Sequence, residues 1–186
     1  MSEYRLWQTN FLVCAICVIL SGCAPRTTST SNGYPHFEEA NAGQYAARLP
    51  QQVSLGNEKV IVVDPKAYAW GAYGADGQLV RGGIATAGGD YCEGEEGSCH
   101  TAIGTFHITS LGGENCYSHI YPRPKGGSLM PYCMFFHGGQ SLHGSPDWML
   151  VEANISHGCV HIRIPDAEWL RYNFADVGTK VVVLPY

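Results

Sequence analysis

Glycine and proline punctuation limits what this chain can fold into. Twenty-three glycines and 10 prolines are spread through 186 residues, cutting the chain into short apolar runs. Many of those runs are β-branched or aromatic, the pattern of short strands joined by tight turns. Lys59 to Val63 predicts a buried strand that Pro65 ends. Tyr68, Trp70 and Ala72 alternate with small residues and suit a half-buried strand. Asp76-Gly77 is a hairpin signal leading to Leu79–Ala85. Gly104–Thr109 alternates again, and glycines and prolines from Gly112 to Pro131 predict a long structured loop. Met134–Phe136, Gln140–His143, Val160–Ile164 and Lys180–Leu184 complete the strand set. One helix is expected from Pro165 to Asn173 or Phe174, with Asp166 and Glu168 at the positive end of its dipole. A second short helix is possible between Glu38 and Arg48. The expected class is mainly β, a sandwich or barrel of short strands with one or two short helices.

Charge excludes some functions. Charged residues are 15% of the chain and the net charge is −5. With no basic stripe, nucleic acid is not an expected partner. The most polar stretch, Ala24–Gly33, is small and free of large apolar residues, so it predicts a flexible tether.

Upstream of the tether, Phe11–Leu20 is a run of 10 apolar residues. A bilayer span needs about 20, so the run fits the apolar region of a signal peptide. It closes on Leu20-Ser21-Gly22-Cys23, which resembles the lipobox of bacterial lipoproteins. The resemblance implies cleavage before Cys23 and acylation of its thiol. The division expected is residues 1–22 as signal peptide, 23–52 as lipidated Cys and tether, and 53–186 as the folded domain. The expected location is the periplasmic face of a membrane, with Ala24 after the Cys favouring the outer one. Five cysteines then remain in the mature domain: Cys92, Cys99, Cys116, Cys133 and Cys159. If Cys159 stays free, the other four allow three disulfide pairings in an oxidising compartment. One of these joins Cys92 to Cys99 and leaves Cys116 with Cys133.

Ser156-His157-Gly158-Cys159-Val160-His161 concentrates the chemistry. A cysteine attacks as thiolate and needs a lowered pKa or an adjacent base. In an extended segment, His157, Cys159 and His161 share one face. His143 lies upstream in Leu142-His143-Gly144-Ser145, a second strand end. Gly158 lets the backbone bend so that nearby amides can face a developing oxyanion.

His143-Gly144, followed 12 residues after Gly144 by Ser156-His157-Gly158-Cys159, resembles the signature of the L,D-transpeptidase (YkuD-type) catalytic domain. Thr101-Ala102-Ile103-Gly104-Thr105-Phe106 resembles that family's Thr-Pro-x-Gly-x-Phe, and Gly82–Gly88 its Val-Ser-Thr-Gly strand. Val60-Ile61-Val62, Asp166-Ala167 and Gly178–Val181 extend the match from about Val53 to Leu184. The resemblance implies Cys159 as nucleophile and His143 as its general base, oriented by a backbone carbonyl near Gly144. It implies that His157 and Gly158 shape the oxyanion region, with the amides of Gly158 and Cys159 as donors, and that Ser156 positions the loop. The substrates implied are peptidoglycan stem tetrapeptides. Cys159 would attack the carbonyl of the third residue, a diamino acid, and expel D-Ala. An amine of another stem or of a protein then resolves the thioester, or water in a carboxypeptidase. No metal or organic cofactor is implied. Three features depart from the pattern: Ala102 replaces Pro, the spacing from His143 to Ser156 is short, and His161 stands where the family has Arg or Asn. Arg163, two residues on, is a candidate partial substitute.

Three alternatives compete: a zinc site of His143, His157, Cys159 and His161, a non-enzymatic adhesion lipoprotein that keeps the fold, and a sortase-like transpeptidase. Among other residues, His107 is expected as a half-buried strand residue, and His100, His119 and His137 as loop or edge residues. Asp90, Glu93, Glu95 and Glu96 form an expected solvated acidic loop. Tyr117, Tyr121 and Tyr132 are candidates for a substrate lid or for core packing.

Overall fold

The computed structural model describes residues 30–31, 34–35, 42–54, 56–92 and 98–186. The apolar run at Phe11–Leu20, Cys23, Glu38, Glu93, Glu95 and Glu96 lie outside them. Within the expected tether, β1 (Thr30–Ser31) pairs antiparallel with β2 (Tyr34–Pro35). The body of the molecule is two sheets. The larger contains β3 (Val60–Asp64), β4 (Ala69–Tyr73), β5 (Leu79–Ile84), β6 (Gly104–His107) and β11 (Lys180–Val183), in the order β5-β4-β3-β11-β6. The smaller contains β7 (Ser110–Leu111), β8 (Met134–His137), β9 (Gln140–Ser145) and β10 (Val160–Arg163), in the order β10-β9-β8-β7. The class is mainly β, as expected from the punctuation.

Burial explains why the central strand is apolar on both faces. Ile61 and Val63 of β3 face the main core with Trp70, Val181, Met134, Leu142, Val160 and Ile162, so both sheets contribute. Val60 and Val62 pack on the opposite side with Tyr73, Leu79 and Val182. A strand buried on both faces reads as a continuous apolar run instead of an alternation. The Asp76-Gly77 turn joins β4 and β5. Gly77 takes φ +78°, and a Cβ there would come 2.0 Å from the Val53 carbonyl oxygen.

The expected helix begins as α2 (Ile164–Trp169) and continues as a wider π-helical turn over Leu170–Phe174. Pro165 sits in its first turn, where a missing N–H leaves no bond unmade. Asp166, with a side chain 6% exposed, accepts two hydrogen bonds at Oδ1 from Arg81 of β5, from Nε at 3.1 Å and Nη2 at 2.6 Å. The Arg81 guanidinium also lies over the Trp169 ring, 5.0 Å from its centroid. These contacts tie the end of β10 to the edge of the larger sheet.

The expected boundary at Val53 falls inside the packed region. Residues 42–52 are not a tether: α1 (Ala42–Ala47) lies on β4 and β5, with Tyr45 and Leu49 buried against Ala69, Ile84 and Leu150. Gly82 makes this approach possible, since a Cβ there would sit 3.3 Å from the Ala46 Cα and 2.8 Å from the Trp70 carbonyl oxygen. Arg48 pairs with Glu152 at 2.7 Å, fastening the helix to the segment before the Ser-His-Gly-Cys box. α1 falls within the Glu38–Arg48 span where a short helix was expected, but its small residues gave no sign that it packs into the folded domain.

Both expected disulfides of one pairing form, Cys92–Cys99 and Cys116–Cys133. The second fastens the long loop, which folds back on itself through Ser118 N–H to the Ser128 carbonyl at 2.8 Å and Met130 N–H to the Cys116 carbonyl at 2.8 Å. Among the described residues no helix is long and apolar enough to cross a membrane.

Removing the guanidinium in Arg81→Met leaves the Asp166 carboxylate buried without its cation. Unfolding stability should fall by about 2 kcal/mol, below the full penalty for a buried pair because Arg81 is partly exposed. Urea denaturation of the two proteins measures the difference.

Candidate active site

The site is built by two neighbouring strands. β10 pairs parallel with β9, and the register sets His161 beside His143 and Val160 beside Leu142. Cys159, immediately before β10, therefore comes alongside Ser141, with its Sγ 3.7 Å from Ser141 Oγ. His143 is two residues beyond Ser141, so strand alternation points its side chain to the same face as that of Cys159. Both line one cavity of about 850 Å³, together with Ser156, His157 and His161. Ser145 of β9 lines it as well, and Gly144 supplies a carbonyl behind the ring.

His143 is 4% exposed, and its Nδ1 lies 2.9 Å from the Gly144 carbonyl oxygen. A carbonyl only accepts, so Nδ1 carries the proton and Nε2 is left with a lone pair. Burial holds the imidazole well below its ordinary value, at about 4, although the Gly144 hydrogen bond opposes the shift. His161 is pushed further, to about 3, by burial and by the neighbouring rings of His143 and His157. The His143 and His161 rings are 4.9 Å apart between centroids. Both imidazoles are thus neutral near pH 7.

Cys159 is the one free cysteine among the described residues and is half-buried. Burial pushes its thiol up, while hydrogen bonds from the Ser141 backbone and hydroxyl pull the other way. Of the two routes open to such a cysteine, a lowered thiol pKa is not the one burial favours. The pair rests as thiol and neutral imidazole, because the enclosed cavity penalises either charge.

The Ser-His-Gly-Cys loop is tightly knotted. Ser156 Oγ accepts from the Gly158 N–H at 3.1 Å and donates to the Cys159 carbonyl. The Gly158 amide is therefore engaged within the loop and is not aimed at an oxyanion, and Ser156 holds the turn that carries Cys159. Gly158 has φ +113°, and a Cβ there would lie 2.9 Å from Gln140 Nε2, so glycine is required on both counts. His157 is exposed and its ring lies 4.9 Å from that of Tyr121. Arg163 does not line the cavity. Its Nε faces Asp147 Oδ1 at 3.9 Å, so it does not substitute for the family residue that His161 replaces.

Three supporting residues were given no role from the sequence. Thr101 is fully buried, and its Oγ1 accepts from Gly88 N–H at 3.0 Å while donating to the Gly158 carbonyl at 2.9 Å. Gln140 Nε2 donates to the His100 carbonyl at 3.0 Å, and its Oε1 accepts from the Ala102 N–H at 2.8 Å. That last bond requires a residue other than Pro at position 102. Ser141, already noted, is the third. Only Thr101 lay within a recognisable box.

Of the loop tyrosines, Tyr117 and Tyr121 line the cavity, whereas Tyr132 is buried and packs edge-on to Tyr172. His107 is exposed on β6 instead of half-buried. Asp90 pairs with His100. Among the described residues no group of three or more His, Cys, Asp or Glu side chains is gathered closely enough to hold a metal ion. The zinc alternative therefore has no donor set.

Solved structures with a similar fold are known. No curated protein matches the chain. Among solved structures, an L,D-transpeptidase from Xylanimonas cellulosilytica is 23% identical with a TM-score of 0.61, covering 74% of this chain and 66% of that one. One from Stackebrandtia nassauensis is 23% identical with a TM-score of 0.56, covering 76% and 63%. L,D-transpeptidase 3 from Mycobacterium tuberculosis, in complex with a faropenem-derived adduct, is 22% identical with a TM-score of 0.50, covering 68% and 60%. The chain thus spans about two thirds or less of these proteins' lengths, and at such identities the likeness concerns the fold. The model of the L,D-transpeptidase catalytic domain (YkuD) matches residues 58–183, and the chain belongs to that family.

Proposed function

We propose that the protein is an L,D-transpeptidase acting on peptidoglycan stem tetrapeptides through a thioester on Cys159. The observation that carries this reading is the shared cavity. A free thiol and a neutral imidazole with its Nδ1 proton pinned lie on adjoining segments of one sheet and open into the same space. A neutral imidazole is the form that accepts a proton.

The step follows from that arrangement. His143 Nε2 takes the thiol proton as Sγ bonds to the carbonyl carbon of the third stem residue. The tetrahedral oxyanion then collapses, the C–N bond to D-Ala breaks, and the imidazolium returns the proton to the departing amine. An acceptor amine repeats the sequence in reverse and releases Cys159. Because the resting pair is uncharged, deprotonation accompanies attack instead of preceding it.

The proposed setting is outside the cytoplasm, with residues 1–22 removed and Cys23 lipidated. Support comes from the Leu20-Ser21-Gly22-Cys23 motif and from two disulfides, which persist in oxidising compartments. Cys23→Ser should leave the protein unlipidated and in the soluble fraction of the cell envelope, read by fractionation and intact mass.

Two tests address the chemistry. A carbapenem should add once, to Cys159, by intact mass. Cys159→Ala should show no adduct, and His143→Ala should react more slowly by about a hundredfold or more. A tetrapeptide muropeptide should release D-Ala. Acylation without such release favours a protein that keeps the fold without turnover. Secondly, alkylation of Cys159 by iodoacetamide should rise with pH and reach half its maximum above about 8.5, the ordinary thiol value. A thiolate–imidazolium pair would instead react fully near pH 6.

A further inference from the structure

The Ser-His-Gly-Cys turn is braced from behind by two segments that do not line the cavity. The first runs on from β5. Ser156 N–H donates to the Ala87 carbonyl at 3.0 Å, and Gly89 N–H donates to the Ser156 carbonyl at 3.0 Å. The second precedes β6, where Thr101 Oγ1 donates to the Gly158 carbonyl. The two segments touch each other closely. A Cβ on Gly88 would lie 2.1 Å from the Cys99 carbonyl oxygen and 2.6 Å from the Thr101 nitrogen.

Tyr186, which follows β11, joins these segments. Its hydroxyl accepts from the Thr101 N–H at 2.8 Å and donates to the Gly88 carbonyl at 2.7 Å. Thr101 Oγ1 accepts in turn from the Gly88 N–H, which closes a ring of hydrogen bonds through Tyr186, Thr101 and Gly88. The Tyr186 side chain is itself held, with its ring 4.5 Å from that of His100, and His100 pairs with Asp90. The ring of bonds ends at the peptide unit that carries Cys159. A trans peptide is planar, so its C=O and N–H point opposite ways. Holding the Gly158 carbonyl against Thr101 therefore turns the Cys159 N–H away from Thr101 and fixes the rotation of that unit. Glycine populates many conformations, so the φ of +113° at Gly158 needs such an external hold.

We propose that Tyr186 is a positioning residue of the transpeptidase reaction. Through Thr101 and Gly88 it fixes the Gly158–Cys159 peptide unit, and with it the line along which Cys159 Sγ approaches the acyl carbon. This rests on the reading of Cys159 as nucleophile. Tyr186 lies beyond the family match, which ends at residue 183, and it does not line the cavity. Its effect therefore falls on the rate of acylation and not on the binding of the donor, since a small misalignment of a reacting atom slows the step without weakening ground-state contacts.

Tyr186→Phe keeps the ring against His100 and removes only the hydroxyl. For D-Ala release from a tetrapeptide muropeptide, kcat should fall about tenfold or more while KM stays within about twofold, and acylation by a carbapenem should slow to match. Thr101→Val should lower kcat at least as much. Adding Tyr186→Phe to it should lower kcat little further, because the two residues act through one connection. Leu79→Ala, which thins the cluster on the outer face of the larger sheet, is the control for lost stability. It should lower the melting temperature at least as much as Tyr186→Phe and leave both rates unchanged. An unchanged kcat in Tyr186→Phe, or a loss carried by KM, would overturn the proposal. So would losses that multiply in the double variant, or an equal loss of rate in Leu79→Ala. A wild-type protein that neither releases D-Ala nor takes up the carbapenem would overturn the transpeptidase reading and the proposal with it.

Discussion

The parallel pairing of β9 with β10 is the constraint on which the site depends. It sets the pitch between Ser141 and Cys159 and between His143 and His161. A slip of one residue would turn either set to the opposite face of the sheet. Parallel neighbours cannot be joined by a tight turn, so the chain between them makes an excursion from Pro146 to Cys159. That excursion is held from outside: Arg48 grips Glu152, Thr86 Oγ1 donates to the Val151 carbonyl at 2.9 Å, and Thr101 secures Gly158. The register is therefore set by contacts from α1, from the segment after β5 and from the segment before β6.

Enclosure has an electrostatic consequence. Cys159, His143 and His161 are crowded together and buried, and all three respond in the direction that removes charge. Ser141 is the counterweight, since its hydrogen bonds are the local groups that favour a thiolate. In the proposed reaction, Cys159 stays protonated until a carbonyl and its developing oxyanion give the negative charge somewhere to go. A resting thiol is also slower to oxidise than a thiolate, which suits a free cysteine among disulfides.

Much of this was legible in the sequence because glycine, proline and the Ser156–Cys159 box are strong local signals. The strands from Val60 to Val183 fall close to where the alternation placed them, and the Asp76-Gly77 turn and the Pro165 helix start are where turn and cap chemistry put them. What stayed hidden was non-local. α1 is anchored by Tyr45 and Leu49, two large residues among small ones, so its packing shows only when β5 presents Gly82 beneath it. Arg163 shares a strand face with His161 by spacing, yet Asp147, far from it in sequence, claims its guanidinium. Gln140 and Ser141 act through a backbone and a sulfur that only the fold brings near.

Gln140 joins a departure of the chain, Ala102, to the glycine of the Ser-His-Gly-Cys box in a single fastening. Its amide occupies the space a side chain at position 158 would need, and its oxygen holds an N–H that proline at position 102 would not possess. Restoring the family's proline would strand that oxygen, and trimming the glutamine would strand the amide of Ala102. Positions 102 and 140 are therefore coupled through one hydrogen bond, so a change at either leaves the other's group unpaired. An engineer transplanting this loop into a relative would have to move both ends together.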